Sequence, residues 1–342
     1  MHVSKICLGL VLWATVILSC PAIADGKLTI ALRGGVYSAA QSKSLLEPFR
    51  RTGVDVSVSD YGAPAGALAA AGSDVVDIET QTALAACSEG LLEKLDWKKL
   101  GLARDRFIGA DQSKCAVPSV VYSTVLAFDS SKFKSAPTKM ADLFDLKSFP
   151  GKRALRKSPV VNLEWALIAD GVAQADVYKV LKSKAGLDRA FKKLDSIKPQ
   201  IVWWEDGSEP MQLLAKGDVI MAAAWNGRIA ETIRQEHRPF AIIWDNQGQN
   251  WSWWAILKSS PNKDTGYRFI SFASDGARMA DQTRFAAYGP ASKDALALVG
   301  KDVLSTLPTA PDNMKTALLV DGQFWASNGD DIRARFKSWA SK

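Results

Sequence analysis

Apolar and polar positions along this chain follow two alternating periods. Lys27 to Arg33 alternates as a half-buried strand does, and Gly34-Gly35 breaks it. From Val36 to Arg51 the spacing becomes helical, with Leu45, Leu46 and Phe49 on the apolar side. Val54 to Val58 alternates again, Ala63 to Ala71 reads as an alanine-rich helix, Val75 to Ile78 as a short buried strand, and Thr80 to Cys87 as a helix. This strand–loop–helix rhythm predicts an α/β fold, a mainly parallel sheet with helices on both faces. In such sheets ligands lie beyond the carboxyl ends of the strands, where Gly34-Gly35 and Glu79-Thr80-Gln81 fall.

Val117 to Phe128 is a long β-rich run suited to crossing from one lobe to another, and Pro150-Gly151 marks a turn beyond it. A second alternating region follows. Helices are predicted near Leu163–Gly171, Ala175–Lys184 and Leu187–Ile197, then a strand over Gln200–Trp203. Glu209–Lys216 reads as a helix, Val219–Ala223 as a strand, Arg228–Glu236 as a helix and Phe240–Ile243 as a strand. Trp251 to Leu257 reads as a strand returning to the first lobe, and helices dominate from Lys263 onward. The expected organisation is a first lobe over 25–127, a second over 128–250, and a return to the first lobe with C-terminal helices over 251–342.

Residues 1–24 read as a cleavable export signal. Lys5 provides the positive start, Ile6 to Ser19 the apolar run, and Ala22-Ile23-Ala24 the small-residue cleavage site. The run is shorter than the roughly 20 apolar residues of a spanning helix. Lipid attachment at Cys20 is the minor alternative, and a periplasmic location is expected either way. The 318 residues left suit two moderate lobes. Cys87 and Cys115 remain, and in an oxidising compartment a solitary pair suggests a disulfide, with two free thiols as the alternative.

The formal charge is +7, with lysines and arginines dispersed among acids, which argues against a nucleic-acid groove. Without the signal His237 is the one histidine, so a histidine-rich metal site is excluded, and no phosphate-binding or dinucleotide motif occurs. No cofactor is expected. Tryptophan is concentrated instead: Trp203, Trp204, Trp225, Trp244, Trp251, Trp253 and Trp254 lie within 52 residues. Most could be core, but Trp225 ends an apolar strand just before Asn226-Gly227, a position for a cleft residue. An aromatic face suits methylenes and an ammonium together, the cation–π part contributing up to about 2 kcal/mol when desolvated. Glu79, Glu205, Asp206 and Asp245 are the candidate carboxylates to fix an amine, with helix capping the alternative for Asp206.

Several stretches then carry a resemblance. They are Gly34-Gly35-Val36-Tyr37 with Pro48-Phe49; Asp74-Val75-Val76-Asp77; Cys87 to Trp97; Leu163 to Val172; Trp225-Asn226-Gly227-Arg228; Trp254 to Lys258; and Tyr288-Gly289-Pro290. In this order the chain resembles the extracellular solute-binding proteins of spermidine/putrescine-type ABC importers. The resemblance implies a type II periplasmic-binding fold whose two lobes close by a hinge, a small-molecule amine ligand, and a membrane permease with its ATPase as partners. It implies no catalysis, and a monomer is the simplest expectation. By position the cleft would include Tyr37, Glu79, Gln81, Trp225, Ser252, Trp253 and Tyr288.

Two departures modify the polyamine expectation. Ser252 stands where the family's amine-binding aspartate is expected, and the neutral stretch Ser158 to Val161 replaces an acidic pair. The double glycine is closer to a branch whose ligands include GABA and opine-like compounds. A zwitterion is therefore the alternative ligand, with Arg33 or Arg228 meeting its carboxylate. Two other classes fit less well. A hydrolase using Glu205 and Asp206 is disfavoured because adjacent strand residues face opposite ways, and a ferric-ion binder has only scattered tyrosines to draw on.

Overall fold

A computed structural model describes residues 26–60 and 72–342. The expected export signal and the alanine-rich helix Ala63–Ala71 lie outside the described residues.

Eight strands make the body of the sheet. They are β1 (Lys27–Leu32), β2 (Asp55–Asp60), β3 (Val75–Glu79), β4 (Ala116–Asp129), β5 (Arg153–Arg156), β6 (Ile201–Trp204), β7 (Met221–Trp225) and β8 (Phe240–Ile256). Their spatial order is β2-β1-β3-β8-β4-β7-β5-β6. Pairing is parallel at both ends, β2-β1-β3 and β7-β5-β6, where connections carry helices. In the middle, β3-β8, β8-β4 and β4-β7 are antiparallel, so the sheet is mixed rather than mainly parallel. The antiparallel centre arises because β4 and β8 are the two passages of the chain between lobes, running in opposite directions. Two short strands complete the sheet: β9 (Gly289–Pro290) on β4, and β10 (Leu318–Leu319) parallel to β8.

The segments Phe240–Ile243 and Trp251–Leu257, expected as separate strands, fall in one strand, β8, which ends at Ile256. Its ladder with β4 is nevertheless interrupted. Thr124 faces Gly248 while Leu126 faces Ile243, so the polar residues between Ile243 and Gly248 have no partners on β4. Asn246 sits there with φ 51°. The interruption separates a lobe-two half of β8 from a lobe-one half.

Separate cores confirm two lobes. In the first, Leu28, Ile30, Val75, Trp253, Trp254 and Phe269 share one buried cluster. In the second, β7 is buried on both faces: Met221 and Ala223 join a cluster with Leu163 and Trp165, while Ala222 and Ala224 join Met211 and Ile229. Burial on both faces explains the unbroken apolar run of that strand. The last helix, Gly322–Ala340, packs Phe324, Trp325, Ile332 and Phe336 into the second lobe's core, while its first turn at Gly322 lies against Thr80 and Leu84 of the first lobe. Cys87 and Cys115 form a disulfide whose Cα atoms are 5.8 Å apart. By chain entropy, closing its loop contributes about 3.5 kcal/mol.

Candidate ligand-binding site

Four strands deliver the chemistry. Arg33 follows β1, Glu79 ends β3, Arg156 ends β5 and Trp225 ends β7. All four strands run in the parallel parts of the sheet, and their carboxyl ends meet between the lobes, as ligand sites in such sheets do. Helices start immediately beyond two of them, at Thr80 and Asn226, so Glu79 and Trp225 stand at strand ends that line the cleft.

The cleft has two adjoining compartments. The first is lined by Arg33, Gly34, Tyr37, Glu79, Val120, Tyr122, Trp225, Arg228, Ser252 and Tyr288. The second, more enclosed, shares Glu79, Tyr122 and Trp225 with it and adds Gln81, Thr124, Arg156, Val160, Val161, Asn162, Asn250 and others. Aromatic rings wall the first: Tyr37 and Tyr288 meet edge-on with centroids 5.1 Å apart, and Trp225 is buttressed by Trp204 at 5.3 Å.

Glu79 is 3% exposed and is the one acid lining either compartment among the described residues. Arg33 pairs with its carboxylate at 2.9 Å from the same lobe, and Arg156 approaches to 3.9 Å from the other. Gln81 donates to the second oxygen at 2.5 Å. Burial pushes this carboxyl up, but Arg33, then Arg156, with hydrogen bonds from Tyr122 and Gln81, outweigh it and hold Glu79 below the usual carboxylate range. The two guanidiniums also lie on Trp225, at 5.0 Å for Arg156 and 6.0 Å for Arg33. Arg228 reaches across from the second lobe to the Gly34-Gly35 turn. Gly35 has φ 67°, and a Cβ there would collide with the Arg228 guanidinium, so the double glycine both turns the chain and admits the arginine.

Beneath the floor lies Asp77, 1% exposed, which accepts hydrogen bonds from Tyr37 at 2.9 Å and from Gln41 and Ser252. Burial raises its carboxyl against those bonds, which come in order from Ser252, Gln41 and Tyr37. Asp77 thereby anchors two cleft residues without lining the cleft itself.

Of the expected site residues, Tyr37, Glu79, Trp225, Ser252 and Tyr288 line the first compartment, while Gln81 lines the second. Trp253 does not join them. It is fully buried in the first lobe's core, its indole N–H donating to Thr80 Oγ1 at 2.9 Å. The cause is strand alternation: Ser252 points to the cleft, so its neighbour points away. Among the acids, only Glu79 reaches the cleft. Glu205 pairs with Lys157, Asp206 takes the N–H and hydroxyl of Ser208, and Asp245 accepts from Met140 N. Tyr122 and Arg156 were missed. Tyr122 alternates with buried neighbours inside the crossing strand, and Arg156 ends the four-residue Arg153-Ala154-Leu155-Arg156, whose two-arginine frame hides a strand.

Two lobes that close strand ends and an aromatic wall around a few charged groups define a protein that encloses a small solute. The chain belongs to the bacterial extracellular solute-binding protein family, whose model matches residues 50–329. It is 42% identical over 322 residues to the gamma-aminobutyric acid-binding protein of Pseudomonas aeruginosa, covering 92% of this chain and 91% of that protein. Among solved structures, an ABC transporter substrate-binding protein from Bradyrhizobium japonicum USDA 110 superposes with a TM-score of 0.84 at 33% identity, covering 92% of this chain and 99% of the other. The binding protein MotA from A. tumefaciens B6, in complex with glucopine, also superposes at 0.84 with 29% identity, over the same shares. The family is one of binding proteins, which carries the non-enzymatic reading.

Proposed function

We propose that this protein is the periplasmic binding component of an ABC importer, and that its ligand is a small ω-amino acid such as GABA. The reading rests on one observation: a single carboxylate, Glu79, stands among Arg33, Arg156 and Arg228. A diamine would add two positive charges to a site already net cationic. An ω-amino acid adds none, and it offers each sign to a fixed partner. Its carboxylate is placed on Arg228 and its ammonium at Glu79, with the methylenes over Trp225. Charge-assisted hydrogen bonds of this kind contribute roughly 1.5–3 kcal/mol each. The 42% identity to a GABA-binding protein supports the same choice.

This replaces a polyamine as the first expectation. A second reading, an opine-like amino acid, is supported by the amide and hydroxyl lining of the second compartment from Gln81, Thr124, Asn162 and Asn250, and by the glucopine complex of MotA. The lobes would close on the solute, and a permease with its ATPase would receive it from a monomer. We assign the first lobe to 25–127 and the return from 251, and the second lobe to 128–250 together with the last helix.

A thermal-shift panel tests the reading, since a ligand of the native state raises the melting temperature by mass action. GABA is expected to raise it, with putrescine and spermidine silent. A shift with the polyamines alone would overturn the proposal, and a shift with opines alone would select the second reading.

A further inference from the structure

The second compartment is lined in part by a residue in a costly backbone conformation. Val161 has φ 72° and ψ −40°, close to the γ-turn geometry that is rare and strained. For a β-branched residue a positive φ is a genuine outlier, and such residues persist where their surroundings over-determine them. Here the surroundings are specific. Asn162, 4% exposed, donates from its side-chain amide to the carbonyls of both Arg156 and Ser158, each at 2.8 Å, which ties the turn into a closed loop. Val161 itself accepts the first full helical hydrogen bond, from Trp165 N at 2.8 Å.

The strained turn aims the side chain across the compartment at β8. There the chain has a glycine. A Cβ on Gly248 would lie 2.6 Å from one Val161 methyl and 2.9 Å from the other, a distance real contacts do not show. Gly248 and Val161 both line the compartment, and Val161 is 5% exposed. The valine therefore fills the space that any side chain at 248 would need. Gly248 also sits where the ladder between β4 and β8 resumes after its interruption, a fixed backstop for the valine.

We infer that Val161 is a specificity-determining residue, a plug that closes the far end of the cleft and limits the length of the ligand it accepts. The inference rests on the ω-amino acid reading of the site. With the ligand carboxylate on Arg228 and the ammonium at Glu79, each added methylene drives the ammonium beyond Glu79 into the second compartment. There it meets Val160, Val161 and the Arg156 guanidinium. A bare methylene against an apolar wall changes affinity about 10–200-fold.

Titration calorimetry with GABA, 5-aminopentanoate and 6-aminohexanoate reads this directly. In the unaltered protein the dissociation constant is expected to rise at least about tenfold from the four-carbon to the six-carbon ligand. In Val161→Gly, which also suits the positive φ, the ratio of the two constants should fall by about tenfold. Val161→Ala keeps a Cβ and should give an intermediate ratio, which covers the case in which the glycine variant fails to fold. An unchanged ratio in a folded variant would overturn the plug while leaving the ω-amino acid reading in place. Failure of the unaltered protein to bind any of the three would overturn that reading and the plug with it.

Discussion

At the residue scale, Glu79 does what neither burial nor a lone charge could do. A carboxylate with 3% exposure stays ionised because Arg33 and Arg156 stand beside it. In the proposed complex the ligand's ammonium would share this carboxylate with its guanidinium partners. Glu79→Gln keeps the shape and removes the charge. It is expected to weaken GABA binding by about tenfold to a hundredfold by calorimetry, the loss of one charge-assisted hydrogen bond. An unchanged affinity would place the amine elsewhere. Glu79 was legible in the sequence because it directly follows the apolar run Val75–Ile78. Trp253 was misread for a related reason: a cluster of tryptophans shows that rings are near, but only register tells which face each takes. Ser252 opposite Glu79 in the β3–β8 pairing fixes that register, and pairing is not visible in one strand's pattern.

At the scale of elements, Glu164 joins three helices away from the ligand. It is fully buried, and its Oε1 accepts from Trp325 Nε1 at 2.8 Å and from the Tyr178 hydroxyl at 3.1 Å. Tyr178 in turn accepts from the backbone N–H of Asp321 at 2.9 Å, so the helices Asn162–Ala169, Val177–Leu181 and Gly322–Ala340 meet at one carboxyl. Burial raises its pKa from 4.5 to about 7, against weaker hydrogen-bond contributions from Trp325 and Tyr178. The folded state therefore holds this proton more tightly than the unfolded chain. Its contribution to stability is complete below pH 4.5, declines as pH rises, and is lost above about pH 7, a change of about 3 kcal/mol. Denaturant unfolding of Glu164→Gln across pH 4–8 should lack that decline; a parallel profile for both proteins would show that Glu164 does not carry it. None of this could be read from the chain. Leu163-Glu164-Trp165 looks like an ordinary helical stretch until the last helix, more than 150 residues later, is seen to cover it. Helices and strands with clean periodicity were legible, including Glu209–Lys216 and the apolar strand before Trp225. Strand β5 was not, because four residues framed by arginines give too short a period to detect.

For the whole molecule, the arrangement of lobes follows from two long strands running in opposite directions. The crossing at Val117–Phe128 was legible as one β-rich run, whereas β8 read as two strands because polar residues interrupt its ladder. That interruption, beside Gly248 and the turn at Val161, sets the cleft where both lobes present strand ends. Charges from both lobes converge there: Arg33 and Glu79 from one, Arg156 and Arg228 from the other. In the proposed complex a ligand held by Glu79 and Arg228 would bridge the lobes directly, so that closure and recognition would use the same residues. The measurement that tests this most directly is a crystal structure of the protein with GABA. The account expects the ammonium within hydrogen-bond distance of Glu79, the carboxylate on Arg228 and the methylenes against Trp225. A ligand lying outside this cleft, or one whose ammonium has no contact with Glu79, would contradict it.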